Sequence, residues 1–209
     1  MDDATTTASP RARRESSADR RTAIAHAARD LIVEKGVEGL RTRDIAERVG
    51  INIATLHYHV PSKEALFGLV AAALRAEFVA QSVARPRTGL PPIAQLELEF
   101  DDFEELLGEK NYLLTAMSEL LERARRDPEI KAGMFPLMGK WKEIVAELLA
   151  RGVEAGDFRP DLDPVPAAQM VIGAMIGFSR SPAATIENFK PLRAELMRAV
   201  RNPSKDALK

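Results

Sequence analysis

Apolar residues recur at helical spacing along nearly the whole of this 209-residue chain. Ile24, Ala28, Leu31 and Ile32 share one face of a helix that starts near Arg20. Asp19 is its expected N-cap and Gly36 its expected C-cap. A short helix follows from about Thr42 to Val49, closed by Gly50. Asn52 is placed to cap a second short helix, Ile53 to Tyr58, which Pro61 breaks. Ser62 then opens a longer helix with Leu66, Val70 and Leu74 on one side. The clearest interruption is RPRTGLPP at 85–92. Beyond it come three stripes: Ile93, Leu96, Phe100, Phe103 and Leu107; Leu113, Met117, Leu120 and Leu121; then Met134, Met138, Trp141, Val145 and Leu148. Residues 156–166 read as a loop, followed by a helix from Ala167 to about Phe178 and a last one carrying Phe189, Leu192, Leu196 and Val200. No strand-like alternation competes and no internal repeat is visible, so the expected fold class is all-α.

Residues 39–66, GLRTRDIAERVGINIATLHYHVPSKEAL, bring two short helices together at the turn Val49-Gly50-Ile51. Ile45, Ala46, Val49, Ile51 and Leu56 supply apolar contacts, Ala46 is small where the helices cross, and Gly50 suits a positive φ. This is the pattern of a helix-turn-helix, whose second helix enters the major groove of DNA. The stretch from about Arg20 to Leu74 resembles the DNA-binding domain of the tetracycline-repressor (TetR) family. The residues that carry the resemblance are Asp44-Ile45-Ala46, Thr55-Leu56, Tyr58-His59 and 62–66 (SKEAL). Gly39-Leu40, Thr42-Arg43 and His59-Val60 come nearest to the family's namesake. Residues 154–163 (EAGDFRPDLD) also resemble a phrase found before the penultimate helix in many members. Three positions depart from the family pattern: Arg41 stands where Ser or Thr usually caps, His57 where Tyr is usual, and Val60 where Phe is usual.

The resemblance implies a three-helix DNA-binding domain joined to a helical ligand-binding and dimerisation bundle. The expected division is an arm at 1–19, the helix-turn-helix domain at 20–66, the body at 67–203 and a tail at 204–209. Arg43, at the start of the second helix, is the candidate for forking onto guanine. Asn52, Ile53, Ala54 and Thr55 occupy the first turn of the recognition helix, where Ile53 and Ala54 suit thymine methyls or groove shape. Thr42, His57, Tyr58, His59 and Lys63 suit the DNA backbone. His57 and His59, two apart on a helix, point apart and make a poor metal pair. Neither a metal nor a cofactor is expected.

Net charge is −1, yet 10–64 hold eleven Lys/Arg against eight Asp/Glu, so a mildly basic head sits on an acidic body. Arg11, Arg13 and Arg14 in the arm either touch DNA or lie in a solvated tail. The chain has no cysteine, which fits a reducing cytoplasm. No apolar run approaches the roughly 20 residues of a membrane span, and no signal core opens the chain. A cytoplasmic setting is expected.

The body has two candidate tasks. By resemblance the last two helices form the face of a homodimer, with Gly173, Ala174 and Gly177 allowing close approach and Met170, Met175 and Phe178 adding apolar area. Phe103, Tyr112, Met117, Leu121, Phe135, Met138, Trp141 and Phe178 are candidates to line a pocket for an unidentified apolar or amphipathic effector. Glu119 and Glu122 are polar residues near that stripe. The acidic run of Asp101, Asp102, Glu104 and Glu105 reads as a solvated helix face or a helix start. No phosphate loop, GxSxG or HExxH motif occurs, so an enzyme is not expected. The expected function is a transcription regulator, most simply a repressor that holds a palindromic operator as a dimer and releases it on binding a small molecule. The alternative is a DNA-binding or architectural protein blind to ligands.

Overall fold

The structure, a computed structural model, describes residues 16–206, which form helices and connecting turns. The arginines at 11, 13 and 14 lie outside the described residues. The helices are α1 (Ser17–Gly39), α2 (Thr42–Val49), α3 (Ile53–His59), α4 (Lys63–Ala84), α5 (Pro92–Leu107), α6 (Asn111–Ala124), α7 (Pro128–Glu154), α8 (Pro164–Ser179), α9 (Ile186–Val200) and the single turn α10 (Pro203–Asp206). Among the described residues the sole β-type pairing is an isolated bridge between Phe158 and Arg201.

Local chemistry sets most of the boundaries. Asn52 and Ser62 cap α3 and α4 by accepting from Thr55 N and Ala65 N at 2.7 and 3.1 Å. Gly50 closes α2 in the left-handed region (φ 73°), with its own N–H and that of Ile51 returning to the carbonyls of Glu47 and Ala46. α1 runs past the expected cap Gly36, which kinks it with φ 69°, to Gly39, and two helix starts also differ from expectation. α1 begins at Ser17, inside the expected arm, because Ser16 and Asp19 form a reciprocal capping box; Asp19 is the third residue of the helix and not its cap. α8 begins at Pro164, inside the expected loop, because proline is tolerated in a first turn whose N–H groups have no helical partner, and Asp163 caps it through Val165 N.

α1, α2 and α3 enclose a small core of Ile24, Leu31, Ile45, Ala46 and Leu56. α4 leaves this head and runs into the body, packing on α1 on one side and α7 on the other. By length and composition α4 is apolar enough to cross a membrane, contrary to the expectation that no segment would be. Leu66, Phe67, Val70, Ala71 and Leu74 account for that apolarity as core contacts. In the body, Phe189 of α9 meets the rings of Phe103 and Phe178 at 4.8 and 5.4 Å between centroids. The EAGDFRPDLD segment has a packing role. Phe158 lies so close to Gly152 that a Cβ there would fall 2.0 Å from its ring. Asp157 accepts from Lys205 at 2.5 Å and, through its carbonyl, from Asn202 N at 3.0 Å. The segment thereby ties the end of α7 to the turn after α9.

Candidate DNA-binding head and body cavity

The helix-turn-helix presents a polar outer surface. Thr42, Arg43, Asn52, Ile53, Ala54, His57 and Tyr58 are exposed, Tyr58 to 81%, while Thr55 and His59 are half-buried. Tyr58 meets His59 edge to face at 5.2 Å. The other cations of the region are occupied: Arg48 forks onto Glu34 at 2.7 and 2.8 Å, Lys35 binds Asp44 at 2.7 Å, and Arg41 donates to the Glu38 carbonyl at 3.0 Å. Arg41 places no side-chain hydrogen bond on the α2 N-terminus. Arg43 has no hydrogen bond or ion pair among the described residues. Its guanidinium is therefore available to an outside acceptor.

Lys63 is differently placed. Its Nζ sits 2.5 Å from Asp127 Oδ2, at the corner where α6 gives way to α7. This ion pair, helped by the N–H groups of Ile130 and Glu129, holds the Asp127 carboxyl below the usual range. Together with the Arg123–Glu38 contact it ties the head to the body.

The body contains a cavity of about 260 Å³ between α4, α5, α6, α7 and α8. Phe103, Met117, Met138 and Trp141 line it. Four of the expected lining residues lie elsewhere. Tyr112 points to the α1–α4 side, where its hydroxyl donates to Glu77 at 2.7 Å and Arg29 stacks 4.7 Å above its ring. Leu121 is half-buried in packing beyond the cavity, and Phe178 is held against Phe189. Phe135 is 68% exposed, with Lys131 5.8 Å from its ring. Each belongs to a helix that touches the cavity, but only some positions of that helix turn inward. Glu119 is exposed and approaches Gly36, and Glu122 is exposed and pairs with Arg180 at 3.1 Å.

The polar end of the cavity has no signature in the sequence, because its residues come from α4, the break after it, α5 and α7. Arg87, in the break between α4 and α5, reaches Asp102 at 2.5 Å and Glu99 at 3.1 Å, both on α5. Glu99 also accepts from Trp141 Nε1 at 3.3 Å. Asp102 takes a second cation, Arg85, which also binds Glu105 at 2.7 Å. Gln81 donates to the Asp102 carbonyl at 2.9 Å. The acidic run on α5 is thus not a solvated face: Asp102 is buried, and Asp101 and Glu104 receive Arg193 at 2.6 and 2.9 Å. Burial pushes the Glu99 carboxyl up, against the opposing pull of Arg87 and Trp141. Among the described residues no group of three or more acidic, His or Cys side chains is arranged to hold a metal.

On α8, Val165, Met170, Gly173 and Gly177 are exposed, and a Cβ at either glycine would meet nothing within 4 Å. Met175 is buried within the chain, and so, with Phe178, turns away from that open face.

Two family descriptions match: "Bacterial regulatory proteins, tetR family" over residues 24–70, and "Tetracyclin repressor-like, C-terminal domain" over residues 103–179. The class A tetracycline repressor from transposon 1721 of Escherichia coli is 44% identical over 62 residues, which are 30% of this chain and 29% of that repressor. Among solved structures, a TetR-family regulator from a Rhodococcus species superposes with a TM-score of 0.80 at 20% identity, covering 87% of this chain and 98% of the other. AibR, solved with isovaleryl coenzyme A and operator DNA, superposes with a TM-score of 0.68 at 22% identity, covering 88% of this chain and 99% of its own. These structural likenesses establish a common fold.

Proposed function

Because the chain belongs to the TetR family of bacterial transcriptional regulators, we propose that it is a cytoplasmic repressor that grips a palindromic operator as a homodimer and lets go when a small molecule enters the body cavity. One observation carries this reading: α4 serves both sites. Its first residue lies four positions after the recognition helix α3 ends, and its second half supplies Phe78, Val79, Gln81 and Val83 to the cavity wall. A molecule that wedges against that half tilts the same rod that positions α3.

In a dimer the separation of two α3 helices decides whether both reach successive major grooves, about 34–36 Å apart. A ligand that prefers another separation lowers DNA affinity, and DNA lowers ligand affinity by the same factor. The open, small-residue face of α8 supports dimerisation, since helices approach closely only where no side chain intervenes. Arg43 and the first turn of α3 read bases in this scheme, while Thr42, His57, Tyr58 and His59 hold phosphates. Lys63 is shared between phosphate and Asp127, so it belongs to the junction as much as to the interface. AibR is a relative in fold whose structure contains both an acyl thioester and an operator.

Trp141 is the chain's one tryptophan and lines the cavity, which allows both events to be followed on the same sample. A broad compound library is screened for changes in Trp141 emission while fluorescence anisotropy follows a labelled operator. Compounds that shift the emission are expected to release the operator. Tight binding at the cavity with operator affinity unchanged defeats the coupling and leaves a ligand-blind DNA-binding protein.

A further inference from the structure

We propose that the cavity takes a small apolar monocarboxylate, which docks its carboxylate on the Nε–Nη2 edge of Arg87. This inference rests on the cavity being the effector site. Five charged residues line the cavity: Arg75, Arg87, Lys140, Glu99 and Asp102. The two acids are already committed, Asp102 to Arg85 and Arg87, Glu99 to Arg87 and the Trp141 N–H. The bases keep capacity in reserve. Among the described residues Lys140 pairs only with the exposed Glu143, at 3.2 Å. Arg87 Nε is buried without a hydrogen-bond partner, and Arg75 has no ion pair or hydrogen bond among the described residues. A buried N–H without an acceptor is costly and favours a ligand that brings one.

The geometry of the guanidinium narrows the choice. Its Nε–H and one Nη2–H point the same way and match the two oxygens of a carboxylate. Nη2 donates to Asp102 at 2.5 Å and stands 3.1 Å from Glu99 as an ion pair, while Nη1 donates to the Ser82 hydroxyl. A ligand carboxylate that takes the place of Glu99 therefore gains Nε and the Nη2 hydrogen that Asp102 does not use, and Asp102 keeps its own. Arg75 and Lys140 also line the cavity, so its lining carries three cations against two acids. An ammonium, by contrast, competes with Arg87 for Glu99 and faces three cations. Apart from this end the walls are apolar, formed by residues such as Val79, Leu114, Ile144 and Met175. Their small volume suits a short chain or a single ring more than a polycyclic body.

Displaced Glu99 faces the ligand carboxylate and Asp102, with Arg87 now occupied and Trp141 still donating. Burial already raises its carboxyl, and loss of Arg87 raises it further. It takes one proton from solvent, so binding at neutral pH consumes up to one proton per site.

The test compares octanoate, octanol and octylamine on the full-length protein, by Trp141 emission and by calorimetry in two buffers of different ionisation enthalpy. Octanoate is expected to bind roughly tenfold or more tighter than octanol, with proton uptake, and octylamine most weakly. Arg87→Gln should bring octanoate down to octanol. Arg87→Lys keeps the charge beside Asp102 but loses the planar fork, so it should lose the same preference while the melting temperature shows the fold retained. Glu99→Gln should abolish proton uptake. Octanol or octylamine binding as tightly as octanoate overturns the carboxylate while leaving the cavity as an effector site. Failure of all three to bind also overturns it, and the library screen on Trp141 then judges the cavity separately.

Discussion

In α2 and α3, Arg43, Asn52, His57 and Tyr58 face solvent, whereas in the body Arg87, Glu99 and Asp102 turn inward and bind one another. The two groups contain similar chemistry under opposite constraints. An exposed arginine loses little by waiting, because water satisfies it until a base or phosphate arrives. An inward arginine must be balanced within the chain before any ligand comes, so Arg87 already has two carboxylates. On the proposed function, DNA is recognised by groups that are free beforehand, and a cavity ligand by exchange within a network that exists without it. α4 joins the two regimes, with Lys63 and Asp127 pinning its first turn to the body.

The sharpest way to break this contrast is Asp102→Ala. It leaves Arg87 largely buried with Glu99 as its remaining carboxylate, and Arg85 with Glu105 as its own. Removing one member of a buried charge network costs about 3 kcal/mol or more. Chemical denaturation should show that loss for the body, while operator binding below the unfolding transition survives. Arg43→Ala should do the reverse. With no internal partner to abandon, stability should change by less than about 0.5 kcal/mol. Affinity for a mapped operator should fall by about 1–3 kcal/mol for each half-site deprived of its arginine fork. An Arg43→Ala protein that melts early but binds normally would mean that the two regions had been assigned the wrong way round.

The head is readable in the sequence because its parts are consecutive. Asn52, Gly50, Ile45 and Leu56 act within a few residues of one another, and capping, turn and burial signals agree over one 28-residue stretch. The helices of the body are also readable, since each stripe announces its own inner face. The cavity is readable only in part. Phe103, Met117, Met138 and Trp141 turn toward the gap between helices, but Tyr112 and Phe135, equally aromatic, do not, and helical periodicity does not say which neighbour each face meets. The polar end is hidden for a stronger reason. Arg87 sits in a proline-rich break that reads as an ordinary loop, and Asp102 lies in an acidic run that reads as surface. Only their meeting across 15 residues removes both from water.

A finer contrast, and the smallest expected effect, lies in two carboxylates pushed in opposite directions. Asp127 at the junction is held below the ordinary range, chiefly by Lys63. Its stabilisation is present above the unfolded value of about 3.9 and is lost as pH falls through the lower folded value. Glu99 in the cavity is raised, chiefly by burial. Its folded form binds a proton where the unfolded chain has already released it, so stability falls as pH rises from about 4.3 through the folded value. Stability measured against pH should therefore decline on both sides, the acid limb flattened by Asp127→Asn and the other by Glu99→Gln. Trp141 separates the two, because its N–H touches Glu99 and not Asp127. Its emission should follow one titration with a midpoint above the ordinary glutamate range, absent in Glu99→Gln and unaltered in Asp127→Asn. A midpoint at or below the ordinary range would mean that Arg87 outweighs burial, and that Glu99 holds its charge too firmly to yield Arg87 to a ligand.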